Sequence, residues 1–257
     1  MNWEIGVKMK KPKIIMSCDD NSYYLDFWPL VSQVWKHRIG YEPVLIHIGE
    51  NRNISDEFGE VIHSEPIKGY PIHTQAQLAR LWYPQKELNT VWITSDIDMF
   101  PISRTYWKNI PLNGFDWCNL NTDMQNYFPI CYNIASGENF KKILSAPDNF
   151  GDFLAMVTST HTSSLTHKPE NWNRESMSSW SIDEVFLSSM VCSHRDSGGV
   201  VLQSLRPGGR QSARRLDRVD WNPNISLIQN DWYIDCHSLR PLHHYSTEIK
   251  KIMDALL

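Results

Sequence analysis

The sequence has few cysteines, no glycine-rich loop and no long apolar run, and each shortage narrows what the chain does. Its five cysteines (Cys18, Cys118, Cys131, Cys192 and Cys236) are odd in number and scattered, with no C-x-x-C pair, which argues against a zinc cluster or disulfide framework and for a reducing compartment. No segment reaches the length of a membrane span, and the opening "MNWEIGVKMKKPK" lacks the apolar centre of a secretory leader. A soluble, cytoplasmic protein without a transmembrane segment is therefore expected. The formal charge of −4 gives no general pull toward nucleic acid or acidic membranes, so no nucleic-acid partner is expected and an anionic ligand must be met by local cations. No internal repeat is visible.

What the chain does have is core-forming material. At 257 residues, 41% hydrophobic, with 11 Trp, 10 Tyr and 9 Phe, it can bury the interior of a single large α/β domain. "KIIMS" (13–17) reads as a first strand. "YYLDFWPLVSQVWKHRIG" follows as a helix closed by Gly40, and "EPVLIHIG" reads as a second strand. Strand, helix, strand is the pattern of a parallel sheet. "EVIHS" is a weaker strand, and "TQAQLARLWYPQKELN" a helix with Thr74 as its expected N-cap and Leu78, Leu81 and Trp82 on one face. "FDWCNL" and "PICYNIA" are further strands, "GENFKKILSA" and "IDEVFLSSMVC" helices, and "TEIKKIMDALL" an amphipathic last helix. Residues 158–179 turn polar and rich in Ser and Thr, the composition of a mobile surface loop.

"TVWITSDIDMFP" places Asp96 and Asp98 at the carboxyl end of an apolar strand, where ligands sit in open α/β sheets. Strand alternation would direct both side chains to one face. Two carboxylates so close raise each other's pKa unless a cation neutralises them, and oxygen ligands of this kind suit Mg²⁺ or Mn²⁺. Capping of a turn before Pro101 is the plainer alternative.

Taken in order, "IIMSCDDN", "TQAQLARLWYP", "VWITSDIDMFPI", "WSIDEVFL" and "DCHSLRPL" resemble the GT-A fold of nucleotide-sugar-dependent glycosyltransferases, particularly small soluble ones of bacterial and viral type, over roughly residues 13 to 245. The resemblance implies a GT-A-like, Rossmann-type mixed sheet flanked by helices in a single domain. Residues 1–12 would be an N-terminal extension and 13–110 a nucleotide-sugar-binding half. Residues 111–257 would be an acceptor-binding half carrying the loop and the last helix.

It also implies a metal-dependent hexosyl transfer from a nucleotide diphosphate sugar, UDP ahead of GDP, to a carbohydrate or glycoconjugate acceptor. Mn²⁺ or Mg²⁺ would sit on Asp96, Asp98 and His237, with His243 and His244 as rivals to the histidine. Ser17, Cys18, Asp19, Asp20, Arg80 and Asp96 would meet the nucleotide, and Arg240 and Arg218 the diphosphate. Asp183 or Glu184 would be the general base that takes the proton of the acceptor hydroxyl, with Asp183 slightly preferred. In "RPGGRQSARRLDR" the glycines Gly208 and Gly209 offer a lid, and Trp172, Trp180, Trp221 or Trp232 could stack on an acceptor sugar.

Three rivals share parts of this pattern. A haloacid-dehalogenase-type phosphatase uses a D-x-D, but near its N-terminus and with Thr or Val where this chain has Phe100. A nucleotidyltransferase would carry a glycine-rich basic loop after the first strand, and "CDDNSYY" is neither. A non-catalytic carbohydrate-binding protein would leave the acidic pair and His237 unexplained.

Overall fold

A computed structural model of the chain describes residues 11–120, 126–163, 181–203 and 214–257, the side chains of 160–163 excepted. Its strands are Lys13–Asp19 (β1), Glu42–Ile48 (β2), Glu60–Ser64 (β3), Val91–Thr94 (β4), Met99–Pro101 (β5), Trp117–Asn119 (β6), Asn133–Ser136 (β7), Val201–Gln203 (β8), Arg215–Asp217 (β9) and Asp235–His237 (β10). Seven of them form a sheet in the order β3-β2-β1-β4-β7-β6-β8, and β5-β10-β9 form a second, small sheet.

The strands β1 to β4 run parallel, as the alternation of strands and helices predicts. β7 is antiparallel to both β4 and β6, so the large sheet is mixed, as the resemblance implies and the bare strand–helix–strand pattern does not. Strand order reverses between β1 and β4, and the crevice outside their carboxyl ends is the ligand position in such sheets.

The two cores follow from the period-two alternation of strand side chains. On one face Ile14, Met16 and Cys18 of β1 join Leu45, Ile93, Ile134 and Cys118. On the other, Ile15 joins Val44, Ile46, Ile48, Trp92, Ala135 and Trp117. The first face is covered by Ser22–Leu25 (α1), Trp28–Gln33 (α2) and the wide-turned extension Val34–Ile39, where Trp35 packs edge-on against Trp107 at 4.8 Å. Gly40 ends that segment at φ 87°, a left-handed conformation glycine adopts without steric cost.

Ile72–Trp82 (α3), Gly137–Ile143 (α5), Phe150–Ser163 (α6) and Ile182–Asp196 (α7) cover the second face, α4 being the short Arg104–Lys108 turn. Ile225–Gln229 (α8) and Ser246–Leu256 (α9) close the first face, and the buried Arg38 ties them down by donating to the Leu256 carbonyl and pairing with Asp231 at 3.0 Å.

Two local expectations change. Helix α3 begins at Ile72 with Pro71 as its N-cap, so Thr74 lies inside the first turn, buried, with its hydroxyl making no hydrogen bond. The "YPIH" segment starts the helix earlier because Pro71 already carries a suitable φ of −57°. Second, the polar stretch from residue 158 begins inside α6, which continues to Ser163. Residues 164–179 of the expected loop lie outside the described residues, as do residues 1–10 of the extension, Arg206, Arg210, Gly208, Gly209, Trp172 and Trp180. No helix among the described residues is long and apolar enough to cross a membrane.

Candidate active site

A cavity of about 220 Å³ opens outside the carboxyl ends of β1 and β4. The ends of β1, β9 and β10, helix α3, the β4–β5 turn and the start of α7 build it. The end of β1 contributes Ser17, Cys18 and Asp19, and the following turn Asn21 and Tyr24. Helix α3 contributes His73, Ala76, Gln77 and Arg80, a stripe at helical spacing whose neighbours Leu78, Ala79 and Leu81 pack into the core. The β4–β5 turn contributes Asp96, Ile97 and Asp98, the start of α7 Ser181, Asp183 and Glu184, and the ends of β9 and β10 Arg218, His237 and Arg240.

The acidic pair stands in a tight turn after β4, not on the strand. β4 ends at Thr94, and the Met99 N–H donates back to the Asp96 carbonyl at 3.2 Å. The turn is pinned on both sides. Ser95 N–H donates to the Ile15 carbonyl, and Ser238 N–H to the Asp98 carbonyl, each at 3.0 Å. Both carboxylates face the cavity because the backbone around them is fixed, where strand alternation alone would no longer decide it.

Arg80 is the electrostatic centre of one wall. It is 7% exposed and donates to Asp96 Oδ1 at 2.6 Å, to Asp183 Oδ2 at 2.9 Å and to the Ser95 carbonyl at 3.2 Å. Burial works against its charge, but the two carboxylates outweigh burial and raise its pKa above the ordinary value. Burial likewise pushes the Asp96 carboxyl up, and Arg80 reverses this, holding it below the usual range. For Asp183 burial wins over the pull of Arg80 and the net direction is upward.

Glu184, beside Asp183 on the first turn of α7, also reaches the cavity, although adjacent helical residues diverge by about 100°. Its carboxylate accepts from the Tyr127 hydroxyl and from the Ile130 N–H at 3.2 Å. Burial first, then the neighbouring Asp183, raise its pKa from 4.5 to about 6. Placement at a helix N-terminus stabilises a carboxylate by only about 0.3–1 kcal/mol, too little to offset that burial.

At the other end Asp98, 3% exposed, receives Arg218 Nη1 at 2.7 Å and Arg240 Nη1 at 3.3 Å on Oδ2, with His237 Nε2 at 3.8 Å from the same oxygen. His237 Nδ1 is held by Asp217 Oδ2 at 3.3 Å. Burial pushes the Asp217 carboxyl up, but the His237 contact, the Val219 N–H and the charge of Arg215 together outweigh it and lower the pKa to about 2.

A carboxylate on one imidazole nitrogen with the other turned to a cavity is the arrangement that orients metal-ligating histidines. With two oxygen donors nearby, the donor set suits a hard divalent cation. The cage is not preformed: among the described residues no three His, Cys, Asp or Glu side chains are gathered around one point.

The cavity thus brings together Ser17, Cys18, Asp19, Arg80, Asp96, Asp98, Asp183, Glu184, Arg218, His237 and Arg240 of the sequence expectations. Asp20 is not among its lining residues. Its carboxylate accepts from the Glu50 and Asn51 N–H groups and pairs with buried His47 at 2.8 Å, and Gly49 leaves the space for it, since a Cβ there would lie 2.5 Å from that carboxylate. His243 and His244 are exposed in a turn away from the cavity. Trp221 packs against the core and Trp232 is exposed, and neither lines the cavity.

Sequence reasoning missed Asn21, Tyr24, His73, Gln77, Tyr127 and Asp217. His73 and Gln77 were within reach, since they share the helix face of Arg80. Tyr127 and Asp217 act through a partner distant in sequence and carry no local signal.

No protein-family model matches the sequence, and no curated protein matches it. Solved structures do. A galactosyltransferase, LgtC, solved in complex with donor and acceptor sugar analogs, superposes with a TM-score of 0.51 at 11% identity, covering 95% of this chain and 96% of its own. The glycosyltransferase GlyE of Streptococcus pneumoniae gives 0.51 at 10% identity over 95% of this chain, which spans 62% of GlyE. The bifunctional enzyme WbbM gives 0.50 at 10%, with 95% of this chain matching half of that one. The chain has the GT-A-type glycosyltransferase fold.

Proposed function

We propose that the protein is a metal-dependent glycosyltransferase that moves a hexosyl group from a nucleotide diphosphate sugar, UDP ahead of GDP, to a carbohydrate or glycoconjugate acceptor. The observation that supports this most is the convergence of Asp96, Asp98 and an Asp217-oriented His237 on one cavity that also holds a carboxylate of raised pKa. Perturbed acids in a cleft of this kind mark catalytic sites. That LgtC was solved with donor and acceptor sugar analogs agrees with the substrate class.

The chain's own groups have distinct tasks in this reading. Ser17, whose buried Oγ makes no hydrogen bond, and Asp19 lie on the nucleoside wall. Asp96, Asp98 and His237 would hold Mn²⁺ or Mg²⁺. The cation supplies positive charge against the departing diphosphate without needing a proton. Arg218 and Arg240 add planar donors for the phosphate oxygens.

Asp183 is committed to Arg80, so Glu184 is the carboxylate left to take the proton of the acceptor hydroxyl as its oxygen attacks the anomeric carbon. A pKa near 6 leaves it ionised at neutral pH yet basic enough to act.

The test is release of free UDP or GDP from a panel of nucleotide sugars, with Mn²⁺ and with chelator, on wild type, Asp98→Ala and Glu184→Gln. Metal-dependent turnover lost in both variants is expected. Sugar binding indifferent to metal and to Asp98 would instead mark a carbohydrate-binding protein, and phosphate release from monoesters a phosphatase.

A further inference from the structure

Cation and donor would enter a cavity whose three arginines are already paired with its carboxylates. At Asp98 one carboxylate meets two guanidiniums, so this end is locally positive, and a divalent cation arriving alone must break contacts of 2.7 and 3.3 Å. Over the whole cavity the balance is opposite, with five carboxylates against three guanidiniums in the lining. A diphosphate arriving alone is repelled by that excess.

We propose that Arg218 and Arg240 form an exchange latch: they hold Asp98 until a pyrophosphate-bearing donor draws them off, so that cation and donor bind as a mutually dependent pair. This rests on the nucleotide-sugar reading above. The latch has a fixed side and a movable side. Asp98 is 5% exposed in its side chain and pinned by its backbone, whereas Arg218 and Arg240 are 26% and 19% exposed.

Arg240 has somewhere to rest, since its guanidinium lies 5.2 and 4.9 Å from the ring centres of Tyr23 and Tyr24, a cation–π arrangement that keeps it beside the cavity once it leaves Asp98. Arg218 directly follows Asp217, which holds His237, so the residue released to the phosphates and the one that orients the metal-side imidazole are consecutive. By linkage, UDP must tighten Mn²⁺ binding by the same factor as Mn²⁺ tightens UDP binding.

The experiment measures Mn²⁺ binding from the electron paramagnetic resonance of the free ion, with and without saturating UDP, and UDP binding by calorimetry. The association of Mn²⁺ with UDP in buffer is measured separately. Wild type should bind Mn²⁺ about tenfold or more tightly with UDP present, a coupling of ordinary size for linked sites. In Arg218→Gln/Arg240→Gln, Mn²⁺ alone should bind several-fold more tightly than to wild type and the coupling should shrink to what the direct attraction between cation and diphosphate leaves. The single variants should lie between, and they serve if the double variant fails to fold.

Equal Mn²⁺ affinity in wild type with and without UDP overturns the latch, as does a double variant that binds Mn²⁺ alone no more tightly. UDP binding that ignores Mn²⁺ overturns the latch alone. No UDP binding under any condition overturns the nucleotide-sugar reading with it.

Discussion

Glu184→Gln should stabilise the protein at neutral pH while removing its activity. In the folded chain the Glu184 pKa lies near 6 against 4.5 for an exposed glutamate. At about 1.4 kcal/mol per pH unit, ionisation of Glu184 costs the fold about 2 kcal/mol. The raised pKa fixes the sign. Its contribution favours folding fully below pH 4.5, and is lost as pH rises through 6.

A neutral amide of the same shape escapes the penalty but offers one donor where the carboxylate accepts from Tyr127 and Ile130, which subtracts about 1 kcal/mol. The net gain is about 1 kcal/mol above pH 7, or about 2–4 °C in Tm for a chain of this size, fading as pH falls below 6. Urea unfolding at intervals from pH 4.5 to 8 measures it. A variant less stable than wild type at pH 8, or a difference unchanged between pH 8 and 4.5, would refute the burial argument. In wild type kcat/KM should fall on the acid side with an apparent pKa near 6, and the variant should lose about 10²–10⁴-fold in rate.

Arg80→Met strands the buried Asp183 and the partly exposed Asp96 and should cost about 3 kcal/mol in denaturant unfolding, the low end of the range for breaking a buried ion pair from one side. Arg80→Lys restores charge but cannot bridge Asp96 and Asp183 with a planar fork, and should recover stability more than turnover. Asp217→Asn retains an acceptor for the Val219 N–H but gives up the charge contacts that hold the carboxyl pKa near 2, so it should cost about 1 kcal/mol in neutral-pH unfolding once solvent screening is allowed for, and should weaken Mn²⁺ binding in the presence of UDP by about 10–100-fold through the loosened His237. Trp107→Ala opens a void between Trp35 and Tyr132, whose rings stand 4.8 and 4.7 Å away, and should cost about 3–5 kcal/mol by thermal or urea unfolding.

Much of the large sheet was legible because its signals are local. "KIIMS" and "EPVLIHIG" are apolar on both faces, as strands covered on both sides must be, and each reads as a strand without knowing its neighbours. The acidic turn stood out because two charges follow such a run. The small sheet was not legible, since strands of three residues such as β5, β9 and β10 are too short to show a period, and β5 is held to β10 by pairing across more than a hundred residues.

The same distinction holds within the site. Asp96, Asp98 and His237 could be named singly, but the bridging of Asp96 and Asp183 by Arg80 spans residues 80 to 183 and exists only in three dimensions. Thr74 misled because a good capping residue also tolerates the first turn, and Pro71 opened the helix ahead of it.

The small sheet carries a consequence for how competence is acquired during folding. Asp98 precedes β5, Arg218 follows β9 and His237 ends β10, so the Asp98 end of the cavity is assembled by pairing among these three short strands. The wall that carries Ser17, Asp19 and Arg80, by contrast, is complete once β1 and α3 have docked. A chain whose seven-stranded body has formed while its later segment is still loose would lack the Asp98 end of the cavity, and Trp107, whose Nε1 donates to the Ile234 carbonyl, would lack its buried partner. Tryptophan fluorescence and ligand capture should therefore both report the docking of that segment.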